Sequence, residues 1–130
     1  MAIPSYLTRQ ADGSYTSPGG LVYGDDLSFG NRAAHVLSHL EESAEKASQG
    51  VFTVPEAEVF PLVDEAFGRL QQDPSRYHSE DQGKRQAYNV PVGRPIGYVG
   101  GQEGSQAQVS TLRIVLEGEH DLVTAFPVEP

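Results

Sequence analysis

The chain has 130 residues, no cysteine and 38% hydrophobic residues, which matches one domain with a single modest core. The lack of cysteine excludes thiolate nucleophiles, disulfides and cysteine metal sites and makes the chain indifferent to redox compartment. No stretch approaches the roughly 20 apolar residues that cross a bilayer, and a basic flank leading into an apolar run is missing at the N-terminus, so a soluble domain without stable membrane association is expected. The net charge of −9 argues against a general nucleic-acid coat, because neutralising phosphates takes basic residues. The charge is uneven: residues 41–81 hold ten acids against three bases, and residues 82–130 five against four. A site for RNA therefore belongs away from the acidic middle.

Residues 1–30 are rich in Gly, Ser, Pro and Tyr without a helical period and read as irregular, with one short strand at 20–23 and an irregular lead-in over 1–20. Asn31 can cap a helix running to about Gln49 with Gly50 as its stop. Its apolar positions Ala33, Val36, Leu37, Leu40, Ala44 and Ala47 follow one face. Residues 51–54 form a strand closed by Pro55. A second helix covers about 60–72, with Pro61 tolerated in the first turn and Leu62, Val63, Ala66, Phe67 and Leu70 facing inward. Residues 73–86 are polar and read as an exposed loop. From Ala87 the texture turns to strands (AYNV, PIGYVGG, QVSTLRIVL, LVTAF) jointed by Gly and Pro. A helical layer over 31–72 followed by an antiparallel sheet over 87–128 is an α+β order in one domain.

The last two strands carry a register. A two-residue turn at Gly118-Glu119, with Gly first as in type II′, pairs Glu117 with His120, Arg113 with Thr124 and Thr111 with Phe126. Leu112 then meets Ala125 and Ile114 meets Val123 on the opposite, apolar side.

His35 and His39 lie four residues apart, on one helical face with Arg32, Glu42 and Lys46 and opposite the apolar stripe. Two imidazoles side by side, neither needed by the core, can serve as general base and general acid; solvated surface histidines are the plainer reading. A zinc pair completed by Glu42 is a further possibility, although HVLSH lacks the second-position glutamate of a zinc protease. His78 and His120 fall in expected loops, Arg113 and Thr124 are equally an ordinary cross-strand pair, and Tyr98 is either packed under a loop or a base-stacking ring. Neither a phosphate-binding glycine loop nor a GxSxG elbow occurs. An acidic segment of this kind also suits a noncatalytic domain that engages a basic protein partner.

Taken in order, GNRAAHVLSHL, KASQGVF, LVDEAF, GRPIGYVGGQ and STLRIVLEGEHDLVTAFPV resemble the C-terminal toxin domains of bacterial contact-dependent growth inhibition and related polymorphic toxin systems. They are similar to the nuclease group of barnase, EndoU and colicin D, and most to its bacterial EndoU branch. The resemblance spans about residues 20–128. It implies helices packed on a twisted antiparallel sheet and RNA cleavage without metal or other cofactor. In that reaction the ribose 2′-hydroxyl attacks the adjacent phosphate and leaves a 2′,3′-cyclic phosphate. It also implies a monomer that acts on RNA, tRNA in particular, is exported as the C-terminal part of a larger cell-surface protein, works in the target-cell cytoplasm and is blocked by a cognate immunity protein. His35 and His39 match the family's histidine segment and Thr124 the threonine of its final strand, with Arg113 on the neighbouring strand completing the catalytic set. Arg32, Lys46, Arg85, Arg94, Tyr98, Thr111 and Phe126 are the expected substrate contacts. Phe126 stands where relatives carry tyrosine, and the acidic balance departs from the basic character usual in such toxins.

Overall fold

A computed structural model describes residues 3–43 and 45–130; the first two residues of the expected lead-in and Ala44 of the expected first helix lie outside the described residues. Three two-residue strands, β1 (Thr8–Arg9), β2 (Tyr15–Thr16) and β3 (Val22–Tyr23), open the chain. A small hairpin of β4 (Asp25–Asp26) and β5 (Gly30–Asn31) leads into α1 (Arg32–Leu37), which tightens into a 3₁₀ turn over Ser38–Leu40. β6 (Gln49–Phe52) and α2 (Glu56–Gln72) follow. Then come β7 (His78–Gln82), β8 (Arg85–Pro91), β9 (Gly97–Gly100), β10 (Gln108–Val109), β11 (Thr111–Glu117) and β12 (Asp121–Val128). The fold is α+β, as expected.

Seven strands form one sheet in the order β1-β2-β3-β12-β11-β8-β7, and β10-β9-β6 form a smaller one. Neighbours in the large sheet are antiparallel except β12 and β3, which run parallel over Asp121 and Leu122. α2 covers one face. Its stripe of Val59, Phe60, Val63, Ala66, Phe67 and Leu70 recurs at helical spacing and joins Val90, Leu112, Ile114, Leu116 and Ala125 in a single core. Each such large side chain contributes about 1.5–3 kcal/mol on burial.

The other face carries the polar strand residues. Because paired residues project to the same side, His78, Asn89, Arg113 and Phe126 form one row across β7, β8, β11 and β12. Pro91, Thr111 and Val128 form the next row, and Gln82, Arg85, Glu117 and Asp121 line the far end.

The closing hairpin corrects the expected register. Glu117 pairs with Asp121, not His120, so the turn holds three residues, Gly118-Glu119-His120, with Gly118 at φ +74. A bulge follows at Val123, opposite the step from Val115 to Leu116, after which Val115 meets Thr124, Arg113 meets Phe126 and Thr111 meets Val128. Each irregularity shifts the pairing by one residue. A single slip would exchange the two faces, but two restore them, so Leu112 and Ile114 stay in the core while Arg113, Thr124 and Phe126 stay on the other face. Val123 is the casualty: the bulge turns it away from Ile114 into a minor cluster with Ala87 and Val115.

Other boundaries also move. The expected loop over 73–86 is exposed, but it contains a 3₁₀ turn at Pro74–Arg76 and the β7–β8 hairpin, whose two-residue turn is Gly83-Lys84 with Gly83 at φ +78. The expected irregular lead-in includes β1 and β2, each of two residues and too short to show a period. The second helix starts one turn early, at Glu56, because Val59 and Phe60 are completely buried and extend its apolar stripe. Pro61 therefore sits inside it rather than in its first turn.

The first helix is capped as expected, with the Asn31 side chain accepting from the Ala34 amide at 2.8 Å, but helical structure ends at Leu40 rather than near Gln49. The buried side chain of Gln49 donates to the Glu41 carbonyl and accepts from the Ser43 amide. Glu42 is drawn off by the Gly101 amide at 2.7 Å, Tyr98 and Gln106. These tertiary bonds replace the ones another turn of helix would have made.

Candidate active site

Beyond Leu122, β12 has no paired strand on the side away from β11 among the described residues, and α1 and β6 close against it. This sets the two sides of α1. Ala33, Val36 and Leu37 enter the core, while His35 projects from the other side of α1 and His39, in the following 3₁₀ turn, reaches Phe126. Four rings stack in sequence: Phe29 on His35 (centroids 4.9 Å apart), His35 on His39 (5.9 Å, planes at 13°) and His39 on Phe126 (5.1 Å). Phe126 is the register partner of Arg113, and Thr124 projects from the same side of β12 two residues away.

Each histidine is held by its Nδ1. His39 Nδ1 lies 2.9 Å from the Gly50 carbonyl oxygen. A carbonyl only accepts, so Nδ1 carries the hydrogen and Nε2 carries the lone pair. Burial pushes the His39 pKa down to about 4, with the Gly50 bond opposing and the charges of His35 and Lys46 assisting. The ring is therefore neutral at neutral pH, with an unprotonated Nε2.

His35 Nδ1 lies 2.8 Å from Asp26 Oδ2. Burial alone would raise the Asp26 carboxyl, but bonds from His35 and from the Ser28 and Phe29 amides outweigh it and hold it below the usual carboxylate range. An ionised carboxylate accepts the Nδ1 hydrogen and fixes the ring, so Nε2 is the nitrogen left for chemistry. The two rings are thus anchored differently, one on a backbone carbonyl and one on a carboxylate.

Arg113 donates to Glu80 at 2.9 Å and to Asn89 Oδ1 at 3.3 Å, with its side chain 18% exposed. The Thr124 hydroxyl is buried and has no hydrogen-bond partner among the described residues, which is costly unless something else uses it. Lys46 reaches the site although the expected helical face does not extend to it. With His39, Gly50, Ser105, Phe126 and Val128 it lines a depression of about 500 Å³, arriving through the loop after Leu40.

Comparison with protein-family models, with curated proteins and with solved structures finds no match.

The remaining expected substrate contacts divide. Phe126 is in the stack, and Thr111 is buried on the same face one row from Arg113. Arg32 is engaged away from the rings, with the Leu122 carbonyl and Glu117, and ties α1 to the hairpin. Arg85 sits at the far end of the face. Arg94 is clamped by both carboxylate oxygens of Glu65, at 2.9 and 3.0 Å, on the α2 side of the molecule. Tyr98 bonds Glu42 on the side of β9 opposite Gly97, which abuts Pro127, so its ring is turned from the histidines. Glu42 is held there too and does not join His35 and His39, and among the described residues no group of three His, Asp or Glu side chains is placed to hold a metal ion.

Asp26, Phe29 and the Gly50 carbonyl are absent from the sequence-based set. The run DDLSFGN, a turn directly before the helix cap, is the signal that could have pointed to a hairpin folding Asp26 back over His35. No comparable signal exists for Gly50 or Asn89, which reach the site through pairing distant in sequence.

Proposed function

We propose that this domain is a metal-independent RNA endonuclease, a toxin acting on RNA and in particular tRNA. The observation that carries this is the stacked His35–His39 pair, each ring held through Nδ1 by a different partner, next to Phe126 and Arg113. In the proposed reaction His39 Nε2 takes the proton of a ribose 2′-hydroxyl, and the oxygen attacks the adjacent phosphorus. The 5′-oxygen leaves with the proton from His35 Nε2, giving a 2′,3′-cyclic phosphate and a 5′-hydroxyl. Arg113 and Lys46 supply fixed positive charge and Thr124 a hydroxyl donor to the crowded phosphorane. The proposal extends to export as the C-terminal part of a larger cell-surface protein, action as a monomer in a target cell, and neutralisation by an immunity protein.

The acidic segment gives less support to the noncatalytic alternative than its count suggests. Asp64 accepts from Tyr6, Ser17 and Gly19, Glu65 clamps Arg94, Glu42 is held by Gly101, and Glu80 holds Arg113. Those charges are engaged within the fold.

The test is to incubate the purified domain with total RNA and map the ends. Cleavage that leaves cyclic phosphates, persists in EDTA and falls by about 10²–10⁴ in His39→Ala and His35→Ala is expected. Intact RNA with the wild type, or full cleavage by both variants, overturns the proposal.

A further inference from the structure

A second depression, of about 910 Å³, opens on the β7 side of the histidine-bearing face. Arg76, Tyr77, His78, Asn89 and Thr111 line it, and Glu129 borders both it and the depression at His39. The row Phe126, Arg113, Asn89, His78 connects the two. With strands about 4.8 Å apart, that row spans roughly 15 Å, which leaves room beyond the reacting phosphate for more of a nucleic-acid strand.

The lining is rich in hydrogen-bond donors. Arg76 has no ion pair or side-chain hydrogen bond among the described residues, whereas Arg32, Arg69, Arg94 and Arg113 are each paired with a glutamate. The Asn89 Oδ1 accepts from Arg113, so its amide hydrogens are the part left to a ligand. Glu129, the acid at the border, accepts from Ser105 at 2.6 Å.

We infer that this groove binds the nucleotide next to the cleaved one, with its phosphate on Arg76 and His78 and its base or sugar against Tyr77 and the Asn89 amide. This assignment rests on the ribonuclease proposal. A groove of donors beside an uncommitted guanidinium, in a chain of net charge −9, selects an anionic ligand of modest size, and a phosphodiester extending from the histidine stack meets it without leaving the face.

The experiment compares affinities of the full chain for a dinucleotide and a tetranucleotide, each made uncleavable by 2′-deoxy substitution at the scissile position. The wild type should gain at least about tenfold in affinity from the added nucleotides. Arg76→Ala should abolish most of that gain and reduce the slope of log affinity against log salt by about 0.7, the share of one phosphate on a single strand. His78→Ala should reduce the gain in part, and Arg9→Ala, an exposed arginine on β1, should keep it. An unchanged gain in Arg76→Ala, or an equal loss in Arg9→Ala, overturns the groove assignment alone. Failure of the wild type to bind either oligonucleotide overturns the ribonuclease proposal with it.

Discussion

Thr124 and Tyr23 each bury a hydroxyl without a partner, and the fold gives them different meanings. Tyr23 is fully buried edge-on against Phe60, centroids 5.2 Å apart, so its oxygen is a cost of filling the core. Thr124 projects from the same side of β12 as Phe126, two residues away, with its hydroxyl enclosed, and it is the hydroxyl proposed for the phosphorane. Thr124→Val, which keeps the shape and removes the unsatisfied group, should stabilise the domain by about 1 kcal/mol while lowering RNA cleavage; parallel urea unfolding and RNA digestion check both halves. His39 adds a pH dependence. Its pKa is about 4 in the fold against 6.5 for an unperturbed imidazole, so between those values the unfolded chain binds a proton that the folded one refuses. Stability is complete above pH 6.5 and is lost as pH falls toward 4, by on the order of 3 kcal/mol. His39→Gln keeps an N–H for the Gly50 carbonyl but cannot titrate, and denaturant midpoints across this range should fall less steeply for it than for the wild type.

The small sheet presses closely on β12 at two glycines. A Cβ added at Gly97 would collide with the Val51 carbonyl oxygen and the Pro127 ring, and one at Gly50 with the Pro127 carbonyl oxygen. Gly50 thus serves twice: its missing side chain lets β6 press on β12, and its carbonyl orients His39. Gly97→Ala should destabilise the domain by about 3 kcal/mol, read as a lowered thermal midpoint, since both obstacles belong to packed backbone or a fixed ring. The bulge at Val123 matters at the same scale. It sets the pairing so that Thr124 and Phe126 lie on the face of Arg113 while Leu122 and Ala125 remain in the core.

For the whole molecule the proposed function asks how a chain of net charge −9 could handle a polyanion. Much of the acidity is spent on internal partners, and few cations stand free on the histidine-bearing face. Catalysis on an oligonucleotide should therefore depend only mildly on salt, with log kcat/KM falling against log salt at a slope of about −1 to −2, two or so phosphates at about 0.7 each. A slope as steep as that of a strongly basic nuclease would show that binding uses charges elsewhere on the surface. Among the described residues no helix is long and apolar enough to cross a membrane.

The α+β order, the Asn31 cap, the inward face of α2 and the sorting of β11 into core and polar sides were legible in the chain itself, because each follows from local periodicity or a turn residue. The helix stop at Leu40, the β7 edge strand and the bulge were not, because Gln49, Glu42 and the backbone of β12 act on residues remote in sequence. The pairing of His35 with His39 could be read from their spacing alone. That one donates to a backbone carbonyl and the other to a carboxylate, with Arg113 across from Phe126, was decided by tertiary structure: a ring's proton is set by what its other nitrogen touches, and those partners come from different strands.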